Sequence, residues 1–125
     1  MKPLRISFDF DCTLGENIIQ RKADLLIKST EYSDIFIITA RCKDQSNTDI
    51  YSVAKRLQIP TTNIYFTEGS FKWRKIKELE IDIHFDDVPE ECELIIKNTK
   101  CIPLLLWDEY CKESIKNESF GKGIF

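Results

Sequence analysis

The chain has 125 residues, a net charge of −3, and 42% hydrophobic and 31% charged residues. That length fits one domain with a core of its own, since chains of this size hide roughly two-thirds of the surface they expose when unfolded. The composition excludes a disordered chain, and the acidic balance argues against stable nucleic-acid binding through a basic surface, though not against an enzyme whose metal supplies local positive charge. Five cysteines, odd in number and without a C-x-x-C pair, fit free thiols in a reducing compartment better than a disulfide framework. The start Met1-Lys2-Pro3 lacks a signal-peptide shape, and no apolar run approaches the ~20 residues that span a bilayer. The expectation is a cytoplasmic protein with no membrane partner.

In chain order, residues 4–10 read as a buried strand. Residues 18–28 read as a helix with Ile19, Ala23, Leu26 and Ile27 on one face. Residues 35–39 are a continuous apolar, β-branched run, as parallel strands are when both faces are covered. Ser46 or Asn47 can cap a helix that runs to about Leu57 and ends at Ile59-Pro60. Residues 63–66 read as a short strand, 67–70 as a loop and 71–79 as a helix. A fourth strand over residues 81–85 ends at Asp86-Asp87, and Pro89, a favoured first-turn residue, opens a helix to about Lys97. Residues 101–107 read as a fifth strand and 108–116 as a last helix. The tail 117–125 reads as loosely attached, unless its two phenylalanines pack on the body or on a second subunit. Five strands alternating with helices predict an α/β fold: a doubly wound, Rossmann-like parallel sheet in three α/β/α layers, one domain over 1–125.

Such sheets bind ligands outside the C-terminal ends of their strands. The polar residues there are Asp9 and Asp11, then Thr39, Ala40 and Arg41, then Asp86 and Asp87, with Lys72 at the start of the helix before the fourth strand. If the first strand runs on extended, Asp9 and Asp11 share a face. Two carboxylates that close repel unless a cation sits between them, and a hard divalent ion is the natural partner. One of the pair could then act as nucleophile and the other as general acid and base. Carboxylates for a cation, a hydroxyl and cations for an anion, and a nucleophile together suit phosphoryl transfer.

On these residues the chain resembles the haloacid dehalogenase-like phosphatases. Asp9-Phe10-Asp11-Cys12-Thr13-Leu14 is similar to that family's first motif, D-x-D-x-T. Ile37-Ile38-Thr39 is similar to the second, Lys72 to the third and Phe85-Asp86-Asp87 to the acidic fourth, all in the family's order. The resemblance implies that Asp9 attacks phosphorus to form an aspartyl-phosphate and that Asp11 protonates the leaving group and then activates water. It implies Mg²⁺ held by Asp9, the backbone carbonyl of Asp11 and Asp86, with Asp87 acting through water. It places Thr39 on the phosphoryl oxygens, with Ala40 and Arg41 beside it on the substrate, and Lys72 against the charge shared by Asp9 and phosphate. Asp11 points to phosphoryl rather than carbon–halogen chemistry, because family members that cleave carbon–halogen bonds lack it. Residues 14–34 and 40–71 leave no room for the cap domain that many relatives carry. An open site admits macromolecular phosphates, and a neighbouring subunit could cover it for small phosphoesters.

Each residue also has a plainer reading. Asp86-Asp87 can cap the helix at Pro89, and Thr39 can be a simple β-former. Arg41 serves either substrate phosphate or a surface ion pair. Lys75 and Lys77 compete with Lys72 by sequence, but helix periodicity sends them to a solvated face or beside the core. Cys12, where the family often has Gly, is either a space-filler or an oxidation-sensitive neighbour of the nucleophile. Thr67 and Glu68 either line the entrance or serve only the loop. Trp73 and Trp107 read as packing residues, and His84 as a satisfied core histidine. The competing functions are a catalytically silent module on the same fold, a receiver-type phosphoacceptor domain and, within the enzyme class, a nucleotidase or nucleic-acid-end phosphatase.

Overall fold

A computed structural model describes residues 2–29 and 33–106. Five parallel strands, β1 (Leu4–Phe8), β2 (Ser33–Thr39), β3 (Ile64–Phe66), β4 (Ile83–Asp86) and β5 (Ile102–Leu105), form one sheet in the order β3-β2-β1-β4-β5. Four helices alternate with them: α1 (Asn17–Ser29), α2 (Thr48–Arg56), α3 (Trp73–Glu78) and α4 (Pro89–Asn98). The predicted doubly wound α/β architecture is the one observed. The predicted last helix, the tail 117–125 and Trp107 lie outside the described residues.

The period of two in β2 builds both cores. Ile35 and Ile37 pack with Ile6 and Phe8 of β1, Ile19 and Ala23 of α1, and Ile50, Val53 and Ala54 of α2. Phe36 and Ile38 face the other way, against Ile76 of α3 and Ile95 of α4. Growth from β1 through β2 to β3 therefore puts α1 and α2 on one face. The chain then returns past β1 to β4 and β5 with α3 and α4 on the other face, as crossovers of one hand require when the direction of growth reverses. The reversal lies between β1 and β4, and β1–β4 neighbours pair in register at Ser7–His84 and Phe8–Phe85. Ligand sites of open α/β sheets lie at such a switch point.

One strand end and one helix cap differ from expectation, both for local reasons. β1 ends at Phe8 because the chain turns at once through Phe10–Leu14. Cys12 there takes a left-handed conformation (φ 59°), and the Gly15 amide closes onto the Phe10 carbonyl at 2.6 Å. A Cβ at Gly15 would lie 3.0 Å from that oxygen, so the approach suits glycine. Asn47 precedes α2 but does not cap it with its side chain. Its amide donates instead to the carbonyls of Cys42 and Gln45, tying down the loop after β2. Among the described residues, no helix is long and apolar enough to cross a membrane.

Candidate functional site

Lys72 precedes α3 and carries a side chain only 3% exposed, in the crevice beyond β1 and β4. Its Nζ lies 3.1 Å from Asp9 Oδ1, 3.0 Å from Asp86 Oδ2 and 3.4 Å from Glu91 Oε2. Glu91, in the first turn of α4, also accepts the Lys72 backbone amide at 3.0 Å and so fixes the residue at both ends. Lys75 points elsewhere, to Glu78 and the Tyr65 ring. Lys72 is the lysine the crevice uses.

Asp9, Asp86 and Asp87 each offer a carboxylate oxygen, and the three lie within 4.8 Å of one another. Thr13 bridges two of them, donating at 3.3 Å to Asp87 Oδ1 and lying 3.5 Å from Asp9 Oδ2. Asp86 is fully buried and held at both oxygens: Oδ1 accepts the Val88 amide, and Oδ2 accepts Lys72 and His84. The Val88 contact closes a turn just ahead of α4; the helix has no side-chain capping hydrogen bond, so the capping role anticipated for this pair is not the one observed.

The electrostatics follow from one buried cation among several carboxylates. Burial pushes Asp9 up, the Asp86 charge adds to this and Lys72 offsets only part, so its pKa rises to about 8. Burial also raises Asp87, with Asp86 adding to it. For Asp86 burial acts upward too, but the His84 hydrogen bond and the Lys72 charge outweigh it and hold the group below the usual carboxylate range. Burial alone would lower Lys72; the charges of Asp9, Asp86 and Glu91 reverse the sign. Hard oxygen donors that exceed the local positive charge suit a small divalent cation.

Asp11 is not in this group. The predicted shared face with Asp9 fails because the strand stops before Asp9. Asp9 is 5% exposed, whereas the side chain of Asp11 is 59% exposed and turns to Arg41. Arg41 donates Nε and Nη2 to Asp11 at 3.0 and 2.7 Å. It also donates Nη1 and Nη2 to Asp49 at 2.7 and 2.8 Å, and its guanidinium lies 5.1 Å over the Phe10 ring. Of the two readings of Arg41, the ion pair is the one present.

Thr39 ends β2 beside β1, fully buried, with its hydroxyl 3.3 Å from the Arg41 amide. Residues 67–70 fold over this strand end: the amides of Thr67, Glu68 and Gly69 donate to the carbonyls of Thr39, Arg41 and Ala40. The Thr67 hydroxyl serves the loop, donating to the Ser70 carbonyl at 2.7 Å. Trp73 packs at the edge of the α3–α4 core, as expected. Cys42, Cys92 and Cys101 are free thiols.

Sequence reasoning missed Ser7, Glu91 and Asp49. Ser7 and His84 each stand two residues before a carboxylate of the cluster, and period two puts them on its face. That signal was readable. Glu91 and Asp49 look like ordinary first-turn acids until the fold sets them beside a lysine and an arginine.

Two cavities, of about 630 and 710 Å³, lie away from the cluster, one beside α1 and the end of α2 and the other near Lys2, Ile81 and Lys100. No protein-family model matches the chain, and no curated protein matches it.

Proposed function

We propose that the chain is a Mg²⁺-dependent phosphatase that hydrolyses a phosphomonoester through an aspartyl-phosphate, in the manner of the haloacid dehalogenase-like family it resembles. The observation that carries this reading is Lys72 Nζ lying 3.1 Å from Asp9 and 3.0 Å from Asp86. It joins residues from three of the four motifs in one buried group, with Thr39 on the adjoining strand end.

The donor set fits the cation. Asp9, Asp86 and Asp87 would hold Mg²⁺, with the backbone carbonyl of Asp11 as the resemblance implies. When bound, the ion supplies positive charge against the phosphate and the attacking carboxylate. Asp86 would offer Oδ1, since Oδ2 already accepts two donors, and Asp87 would stand beside it, directly or through water.

An Asp9 oxygen forms a bond to phosphorus as the bond to the leaving oxygen breaks, and Asp11 delivers its proton to that oxygen. In the second half Asp11 takes a proton from water, the water oxygen bonds to phosphorus, and the Asp9–phosphorus bond breaks. Lys72 holds charge beside Asp9 throughout, and the Thr39 hydroxyl orients a phosphoryl oxygen. Asp11 must leave Arg41 to do this, and an incoming phosphate that takes over the guanidinium would release it. Among the described residues, α1 separates the Phe10–Leu14 turn from β2, and α2, a single 3₁₀ turn at Thr61–Asn63 and β3 separate β2 from the loop before α3. This spacing supports reading the site as one without a cap domain, accessible to bulky phosphates.

The test is Mg²⁺-dependent phosphate release from p-nitrophenyl phosphate by wild type and Asp9→Asn. The variant should lose at least about 10³-fold in rate, as other enzymes do when the nucleophile is removed. Equal rates would remove Asp9 as nucleophile. A wild type inert toward this ester and a panel of phosphorylated metabolites would favour the silent module.

A further inference from the structure

The geometry points to Ser7 and His84 as a buried positioning relay that sets the orientation of Asp86 for metal binding. This rests on reading the carboxylate cluster as a Mg²⁺ site. Ser7, His84 and Asp86 are all fully buried, on adjacent strands, on the sheet face they share with Phe36 and Ile38 of β2. Ser7 Oγ lies 2.6 Å from His84 Nδ1, and His84 Nε2 lies 2.8 Å from Asp86 Oδ2.

These two contacts fit one set of hydrogen-bond directions. An ionised carboxylate only accepts, so Nε2 carries the proton that reaches Asp86. In the neutral ring one nitrogen carries the proton and the other does not. Nδ1 is then bare and accepts, and the Ser7 hydroxyl donates to it. Ser7 therefore selects the tautomer, the tautomer gives Asp86 a dedicated donor, and the donor fixes which carboxylate oxygen remains for a cation. Lys72 cannot do this alone, because its Nζ is shared among Asp9, Asp86 and Glu91. With His84 and Lys72 on Oδ2 and the Val88 amide on Oδ1, the carboxylate is held at both ends. Neither Ser7 nor His84 would touch substrate or metal; both act through Asp86, as outer partners of metal ligands generally do.

His84 is the only histidine in the chain, so its ring nitrogens can be read without assignment. In ¹⁵N-histidine-labelled wild type without metal at neutral pH, one protonated Nε2 and one unprotonated Nδ1 are expected. A ring protonated on Nδ1, on both nitrogens or averaging between tautomers would overturn the relay. Mg²⁺ affinity, read by calorimetry, should fall about 10- to 100-fold in Ser7→Ala and His84→Leu, the range for outer partners of metal ligands. His84→Gln should recover much of it, since its amide can donate to Asp86 and accept from Ser7. If His84→Leu does not fold, Ser7→Ala decides the matter with the spectrum as a check on the ring. Wild-type affinity in a folded Ser7→Ala protein overturns the relay while leaving the metal site intact. A wild type that binds no Mg²⁺ overturns the metal reading, and the positioning role falls with it, whatever the tautomer.

Discussion

Asp9 and Asp11 stand two residues apart, yet they belong to opposite kinds of surroundings. Asp9 joins a buried group whose lysine is 3% exposed and shared by three carboxylates. Asp11 joins an open group in which Arg41 holds two carboxylates, each more than half exposed. Desolvation makes the buried group expensive to break and slow to rearrange, whereas solvent lets the open group exchange partners at little cost. A phosphoryl-transfer site needs both properties. The nucleophile must be fixed before substrate arrives, and the proton carrier must move between a leaving group and a water molecule. The turn at Phe10–Leu14 makes the division, since it takes the chain from the core to the surface within two residues.

The contrast would break most plainly at Lys72. Lys72→Met leaves Asp9, Asp86 and Glu91 without their cation and should cost about 3–5 kcal/mol in urea unfolding, the range for buried pairs that lose one partner. Arg41→Gln should cost less than about 1 kcal/mol, because both of its carboxylates are solvated. Comparable losses in the two variants would mean that burial does not separate the groups.

Mg²⁺ tests the same contrast from the ligand side. At about 100-fold excess over its dissociation constant it should stabilise wild type by about 2.7 kcal/mol. That gain should vanish in Asp87→Asn and survive in Arg41→Gln, read as the shift in thermal midpoint with and without the ion. Survival in Asp87→Asn would take this residue out of the ligand set.

Much of this division was legible in the sequence, and its limits have physical causes. Element type was clear because strands covered on both faces are continuously apolar, as residues 35–38 are. Lys72 was separable from Lys75 and Lys77 by helical period. The expectation that fails is the strand running to Phe10 with Asp9 and Asp11 on one face. Nothing in Asp9-Phe10-Asp11 announces a turn, because the left-handed residue is Cys12 rather than glycine. The partners Glu91 and Asp49 depend on which helices meet the crevice, and periodicity within one segment does not carry that information. Ser7 and His84 did announce themselves, as polar residues two before a carboxylate.

The smallest expected effect concerns pH in the open group. The Arg41 hydrogen bond is the largest influence on Asp49 and holds its carboxyl below the ordinary 3.8. The unfolded chain takes up this proton near the ordinary value, and the folded chain does so only at lower pH. The ion pair's stabilisation is therefore present above about pH 4 and lost as pH falls through the folded pKa. The side chain of Asp49 is 55% exposed, so screening holds the effect to a few tenths of a kcal/mol. The stability gap between wild type and Arg41→Gln should thus stay level from about pH 8 to 5 and narrow below about pH 4. It should also shrink in about 1 M salt, where the screening length is near 3 Å. Urea midpoints of the two proteins across that range measure the gap directly. A gap that persists unchanged at low pH and high salt would mean that Arg41 is held by packing on Phe10 rather than by charge. In that case the open group would be as fixed as the buried one, and Asp11 would need a different route to the leaving oxygen.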